Sequence, residues 1–299
     1  MERELQEKVS SCEPVAESVA EGANDGTSQL NGVLQRLWAG VESTDYQLSN
    51  ATFHQVLELF RSVWLDPSHQ AALRRLSPEY GQSEFLLNID PKGAPVLVDR
   101  DMIREYRETN RCLADFGRWF QESIHPEIGQ PTLLIARWLC HLAGFRHQVV
   151  QMFIDHPTLE DHTLVQVRGL NKVEYPGCFD MPVAGHVVAW DSAGDALTKE
   201  LLGELGWRTD DLDNLYRLGR YGSNPPSNPS GLRSVEYRLV FISRFKPDSL
   251  LRARFVDREV AGLAVFRVSE LLALNERFPD RLGAGLRDSL PLYLKNRPW

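Results

Sequence analysis

The feature that most restricts the fold of this chain is a change of texture at Gly144. From there to the C-terminus, short apolar runs alternate with turns: QVVQMFI, HTLVQVRG, VAGHVVAW, EYRLVFISRF and AGLAVFRV. Runs of this length, rich in β-branched and aromatic residues and bounded by turn residues, read as strands. Two segments among them, Asp195 to Leu205 and Ser269 to Glu276, read as helices. Strands interleaved with helices exclude an all-helical or all-β unit and point to α/β or α+β architecture over residues 144–299. RYGSNPPSNPSGLRS is a long loop by composition, and loops of that length are uncommon unless they carry function.

The preceding region reads differently. Residues 1–28 are rich in Glu, Ser, Ala and Gly and poor in large apolar groups, the composition of a disordered acidic tail. Residues 29–143 read as a mainly helical accessory region. Phe53, Val56, Leu57, Phe60, Val63 and Trp64 recur on one helix face; a second helix is expected from about Asp101 to Gln121, and a third opens at Pro131 and runs through Leu134, Trp138 and Leu142. FLLNID and PVLVDR, flanking Pro91-Lys92-Gly93-Ala94, read as a β-hairpin.

Composition narrows the function classes. The longest apolar stretches fall far short of the roughly 20 residues of a membrane span, and the opening MERELQEKVSS has no apolar signal core, so no membrane association and a cytoplasmic location are expected. A net charge of −8 argues against a nucleic-acid partner but leaves room for a phosphate ligand held by a local basic pocket or a metal. Cys12, Cys112, Cys140 and Cys178 form no C-x-x-C pair, so neither a zinc site nor a disulfide framework is expected of them.

Chemistry concentrates in GHVVAWDSAGDALTKELLGELGW, Gly185 to Trp207. A strand ends in a loop, and a helix starts near Asp195, where an acidic residue suits the helix N-terminus. Leu197, Leu201 and Leu205 form its apolar stripe, while Glu200 and Glu204 share another face. Gly206 closes it. Two carboxylates on one face suit a hard cation such as Mg²⁺, which prefers oxygen ligands and bridges to substrate phosphates; the plain alternative is a solvated helix face.

This segment resembles the Nudix box, G-x5-E-x7-R-E-U-x-E-E-x-G-U, with U a bulky apolar residue. Gly185, Glu200, Leu201, Glu204, Gly206 and Trp207 match in place, and Asp191 takes the first acidic position. Lys199 replaces the arginine, Gly203 replaces the first glutamate of the pair, and Trp190 stands where a glycine is frequent. The flanking NKVEYPGCFDMPVAGHV is similar to the isopentenyl-diphosphate-isomerase-like branch through Lys172, Tyr175, Pro176, Gly177, Asp180, Ala184, Gly185 and His186, and DREVAGLAVFRVSELLAL resembles the late strand and helix of the family.

The resemblance implies a Nudix α/β/α sandwich with a mixed β-sheet, and Mg²⁺- or Mn²⁺-dependent cleavage of a diphosphate linked to a small organic or nucleoside group. Carried over, Glu200 and Glu204 are metal ligands and catalytic carboxylates, Gly185 offers its carbonyl to the metal, and Arg168, Lys172 and His186 contact substrate. Glu236, or else Glu259, supplies a further metal carboxylate from outside the box. Restoring a glutamate at Gly203 is expected to raise metal affinity. Two alternatives stand beside hydrolysis: a Nudix fold that binds a diphosphate or a protein without turnover, and isomerase-like chemistry on a prenyl diphosphate. Ala184 counts against the last, because those isomerases carry a proton-moving cysteine there.

Overall fold

The centre of the molecule is β4 (His147–Asp155), whose side chains are buried on both faces. That is why its sequence reads as an almost unbroken apolar run, as strands covered on both sides do. It pairs in parallel with β9 (Glu236–Phe245) and antiparallel with β5 (His162–Arg168) and β7 (Val183–His186). β10 (Val260–Arg267) and the short β6 (Phe179–Asp180) pair with β5, and β8 (Leu212–Ser223) pairs with β9 along the other edge. The computed structural model describes residues 84–101, 119–172, 174–223 and 233–299, with positions 71, 74, 104 and 108.

Alternation along β4 divides the core into two layers. Val150, Met152 and Ile154 pack with Leu197, Leu201, Leu205 and Trp207 of and just beyond α2 (Ala193–Leu205). Phe153 packs on the other side with Leu271 of α3 (Val268–Arg277) and with Leu286, Leu290 and Tyr293 of α4 (Ala284–Asn296). A mixed sheet between helices is the α/β/α sandwich expected. The five strands and both helices read from the sequence beyond Gly144 are present within a few residues.

A second, three-stranded sheet has the order β1 (Phe85–Leu87), β3 (Pro131–Ala136), β2 (Phe120–Ile124). Here two helix expectations are corrected. The segment opening at Pro131 is a strand, and helix α1 begins only at Arg137, running to Ala143. TLLIA is buried throughout and paired on both sides; a short continuous apolar run satisfies helical spacing as readily as strand burial, and pairing decides. Proline is tolerated because it is the strand's first residue. Asp101, Arg104 and Glu108 are helical as expected, but Phe120 and Gln121 belong to β2. The hairpin turn stands: Ala94 O accepts from Asp90 N, and the Asp90 carboxylate accepts from Lys92 N and Ala94 N (2.8 Å each). The expected tail 1–28 and the Phe53–Trp64 helix lie outside the described residues.

The small sheet is joined to the large one through a bridge between Leu86 and Val188 and through Ile89 N donating to Arg146 O. The small sheet thereby meets the chain just beyond β7, where the site begins. Among the described residues, no helix is long and apolar enough to cross a membrane.

Candidate active site

The box helix α2 is set at both ends by its own sequence. Ser192 is the N-cap: its hydroxyl accepts from Asp195 N while the Asp195 carboxylate accepts from Ser192 N (3.1 Å each), a reciprocal arrangement that satisfies two orphan donors. Gly206 ends the helix at φ 67°. The three departures from the box have visible local structure. Lys199 donates to both oxygens of Asp191 (2.6 and 2.8 Å), so the two exchanged residues answer each other. Trp190 has φ 72°, the left-handed conformation for which glycine is favoured at this position. Gly203 faces the segment before β10.

Gly185 and Glu200 are in direct apposition. A Cβ at Gly185 would lie 2.0 Å from Glu200 Cδ and Oε1, so the carboxylate rests on strand backbone that only glycine exposes. Glu200 is half-buried, and among the described residues its carboxylate has no hydrogen-bond or ion-pair partner. Burial, followed by the negative charge of Glu259, pushes its pKa up to about 7. Glu204 lies deeper. Its Oε1 accepts from Gln166 Nε2 (2.9 Å) and its Oε2 from Ala184 N (2.8 Å), and burial pushes it well above the ordinary range. It ties α2 to β5 and β7, with one further lone pair on each oxygen.

The two cations expected to meet phosphate are both engaged. Arg168 pairs with Asp180 (3.0 Å) and donates to Glu174 O (3.1 Å). Lys172 pairs with Glu259 (2.5 Å). Glu236 lies elsewhere: it accepts from Arg238 Nε (2.7 Å), and Arg238 also donates to Tyr221 OH (2.7 Å) and Asp288 (3.0 Å). Burial would raise the Glu236 pKa, but Arg238 and the nearby His147 outweigh it and hold the carboxyl below its usual value.

His186, one residue beyond Gly185, turns to the opposite side of β7 and meets two histidines that sequence reasoning missed. His141 of α1 and His147 at the start of β4 complete a cluster whose ligating atoms all lie within 4.8 Å of one another. His141 Nε2 and His186 Nε2 are 3.0 Å apart. His147 Nδ1 sits 2.9 Å from Phe145 O; with that nitrogen donating, Nε2 carries a lone pair, and it is buried with no partner among the described residues. Burial, then His141, pushes His147 down to about 3, and burial keeps His186 well below its ordinary value. In His147, a neutral imidazole whose Nδ1–H is tied to a carbonyl leaves Nε2 free to ligate a divalent transition metal. The only signal in the sequence was His141 and His147 flanking Gly144 and His186 beside the box glycine; the pairing of Val149 with His186 brings them together.

No family model matches the chain, and no curated protein matches it. Among solved structures it is similar to DR0079 from Deinococcus radiodurans, with a TM-score of 0.44, 16% identity, and coverage of 70% of this chain and 98% of that one. It is similar to a MutT NUDIX hydrolase from Burkholderia pseudomallei, with a TM-score of 0.36, 17% identity, and coverage of 49% and 97%. It is also similar to a NUDIX hydrolase from Nitrosomonas europaea, with a TM-score of 0.35, 22% identity, and coverage of 50% and 88%.

Proposed function

We propose that residues 144–299, with His141 from the preceding helix, form a Nudix-type, divalent-metal-dependent enzyme that hydrolyses a diphosphate linked to a small organic or nucleoside group. The observation that carries this reading is the Glu200 carboxylate, unpartnered among the described residues and laid on the backbone of Gly185. A half-buried carboxylate without a paired cation is costly unless something else neutralises it, and the glycine leaves room for a cation to meet side-chain and main-chain oxygen together.

Glu200, with Gly185, is the group that would hold Mg²⁺ or Mn²⁺, and Glu204 supports it from beneath. When bound, such an ion neutralises phosphate charge and lowers the pKa of a coordinated water. Lys172 reaches Glu259 on a flexible stem and is the cation best placed to transfer to a phosphate oxygen. The three histidines, with Glu236 close in charge, would hold a second cation of the nitrogen-preferring kind, such as Zn²⁺.

The test is a panel of nucleoside, sugar and prenyl diphosphates incubated with Mg²⁺ or Mn²⁺, with both phosphate release and rearranged product followed. Hydrolysis by the wild type, abolished in Glu200→Gln, is expected. Binding without product would establish a non-catalytic module, and a rearranged prenyl diphosphate would establish isomerase chemistry in its place.

A further inference from the structure

The last turns of α2 read Glu200-Leu201-Leu202-Gly203-Glu204, and the third box carboxylate is missing at Gly203. The space beside Gly203 is not open. A Cβ built there would lie 3.0 Å from Asp257 Oδ2. The segment leading into β10 is laid along this turn of the helix: Arg254 N donates to Leu205 O (2.8 Å), and Val256 N and Asp257 N both donate to Gly203 O (3.0 and 3.2 Å). Carbonyls at a helix end need partners from outside the helix, and this segment provides them while carrying an aspartate to the flank from which the glutamate is absent.

The orientation of that aspartate is set. Asp257 Oδ1 accepts from Glu259 N (2.9 Å), which leaves Oδ2 directed at α2. Glu259, two residues on, is neutralised by Lys172. Among the described residues neither Asp257 nor Glu200 has an ion-pair partner. Gly203 follows Glu200 by three residues, so Asp257 Oδ2 stands beside the turn of α2 that carries Glu200.

We propose that Asp257 supplies, from the loop before β10, the metal-ligating carboxylate that Gly203 withholds from the box helix. Glycine at 203 and aspartate at 257 form one exchange: the helix gives up a side chain so that the loop can approach its backbone and present a shorter carboxylate from the other side. The inference rests on the metal-dependent reading of Glu200. It reverses the expectation for Gly203→Glu, because a glutamate there enters space that Asp257 holds; it displaces a ligand in supplying one.

Mn²⁺ binding to the full-length protein, followed by titration calorimetry and by the loss of the free-ion electron paramagnetic resonance signal, tests the proposal without reference to turnover. Asp257→Asn keeps the Oδ1 acceptor for Glu259 N and should bind Mn²⁺ at least tenfold more weakly than wild type. Gly203→Glu alone should show no gain. The double variant Gly203→Glu/Asp257→Asn should recover most of the affinity lost by Asp257→Asn. Wild-type affinity in Asp257→Asn, alongside weakened binding in Glu200→Gln, would overturn the role of Asp257 and leave the metal-dependent reading intact. Absence of Mn²⁺ binding in the wild type would overturn both. Should Asp257→Asn lose its helical circular dichroism, Asp257→Ser, whose hydroxyl can also accept from Glu259 N, serves in its place: a tenfold loss of Mn²⁺ affinity supports ligation, and wild-type affinity refutes it.

Discussion

Gly185→Ala isolates the contact on which the functional reading depends. The added methyl would lie 2.0 Å from Glu200 Cδ and Oε1 and 2.5 Å from its Cγ. Since Cγ is included, a twist of the carboxylate does not relieve the clash; the whole side chain must take another rotamer. Gly185 lies in β7, paired with Val150, and is not among the residues at positive φ, so alanine suits the backbone. The folding cost is therefore that of overpacking, about 1–3 kcal/mol, and Glu200 is only half-buried, so the lower end applies. For a unit the size of residues 144–299 that is a fall in Tm of about 2–4 °C. Metal binding should suffer as well, because Glu200 leaves the backbone of Gly185. A tenfold or greater loss of Mn²⁺ affinity, about 1.4 kcal/mol, is expected by calorimetry, close to the loss in Glu200→Gln. If Gly185→Ala binds Mn²⁺ like the wild type at unchanged Tm, Glu200 is not held against this strand, and the cation site is wrongly placed.

Three further outcomes are open to measurement. The raised Glu200 pKa, about 7 against an ordinary 4.5, means the folded state binds its proton more tightly than the unfolded one. Its contribution is full below pH 4.5 and is lost as pH rises through 7, at most about 3 kcal/mol from about 1.4 kcal/mol per pH unit. In chelator-treated protein, Glu200→Gln should flatten the decline in urea-unfolding stability between about pH 5 and 8, and an unchanged profile would contradict the assigned burial. At the histidine cluster, Co²⁺ should give the intense visible absorption of a low-symmetry nitrogen site in the wild type and lose it in His147→Gln; spectra that do not differ would dismiss the cluster as a metal holder. Finally, Asp155 is fully buried and accepts from Tyr293 OH, Arg297 Nε and Trp299 Nε1. Asp155→Ala removes the acceptor of three donors, although Arg297 keeps its pair with Asp161 (2.7 Å), and should cost on the order of 3 kcal/mol in denaturant unfolding; a loss below about 1 kcal/mol would show that the C-terminal residues are not fastened there.

The sequence by itself determined what repeats locally. The strands among residues 147–267 that declared themselves are short runs of β-branched and aromatic residues bounded by turn residues, and α2 declared itself through Asp195, its leucine stripe and Gly206. The apposition of Gly185 and Glu200 was readable because a box motif links a strand and a helix close together in the chain. What pairing and packing control was not readable. β8 is an edge strand with register shifts and many exposed side chains, so it showed no alternation and part of it read as loop. α4 carries Pro291 and a thin apolar stripe, and only the core beneath it makes it a helix. Pro131–Ala136 satisfied helical spacing and became a strand because β1 and β2 flank it. The histidine cluster and the approach of Asp257 to Gly203 belong wholly to tertiary structure. His147 and His186 are far apart along the chain, as are Gly203 and Asp257, and no local pattern records which strands register or which loop a helix end receives.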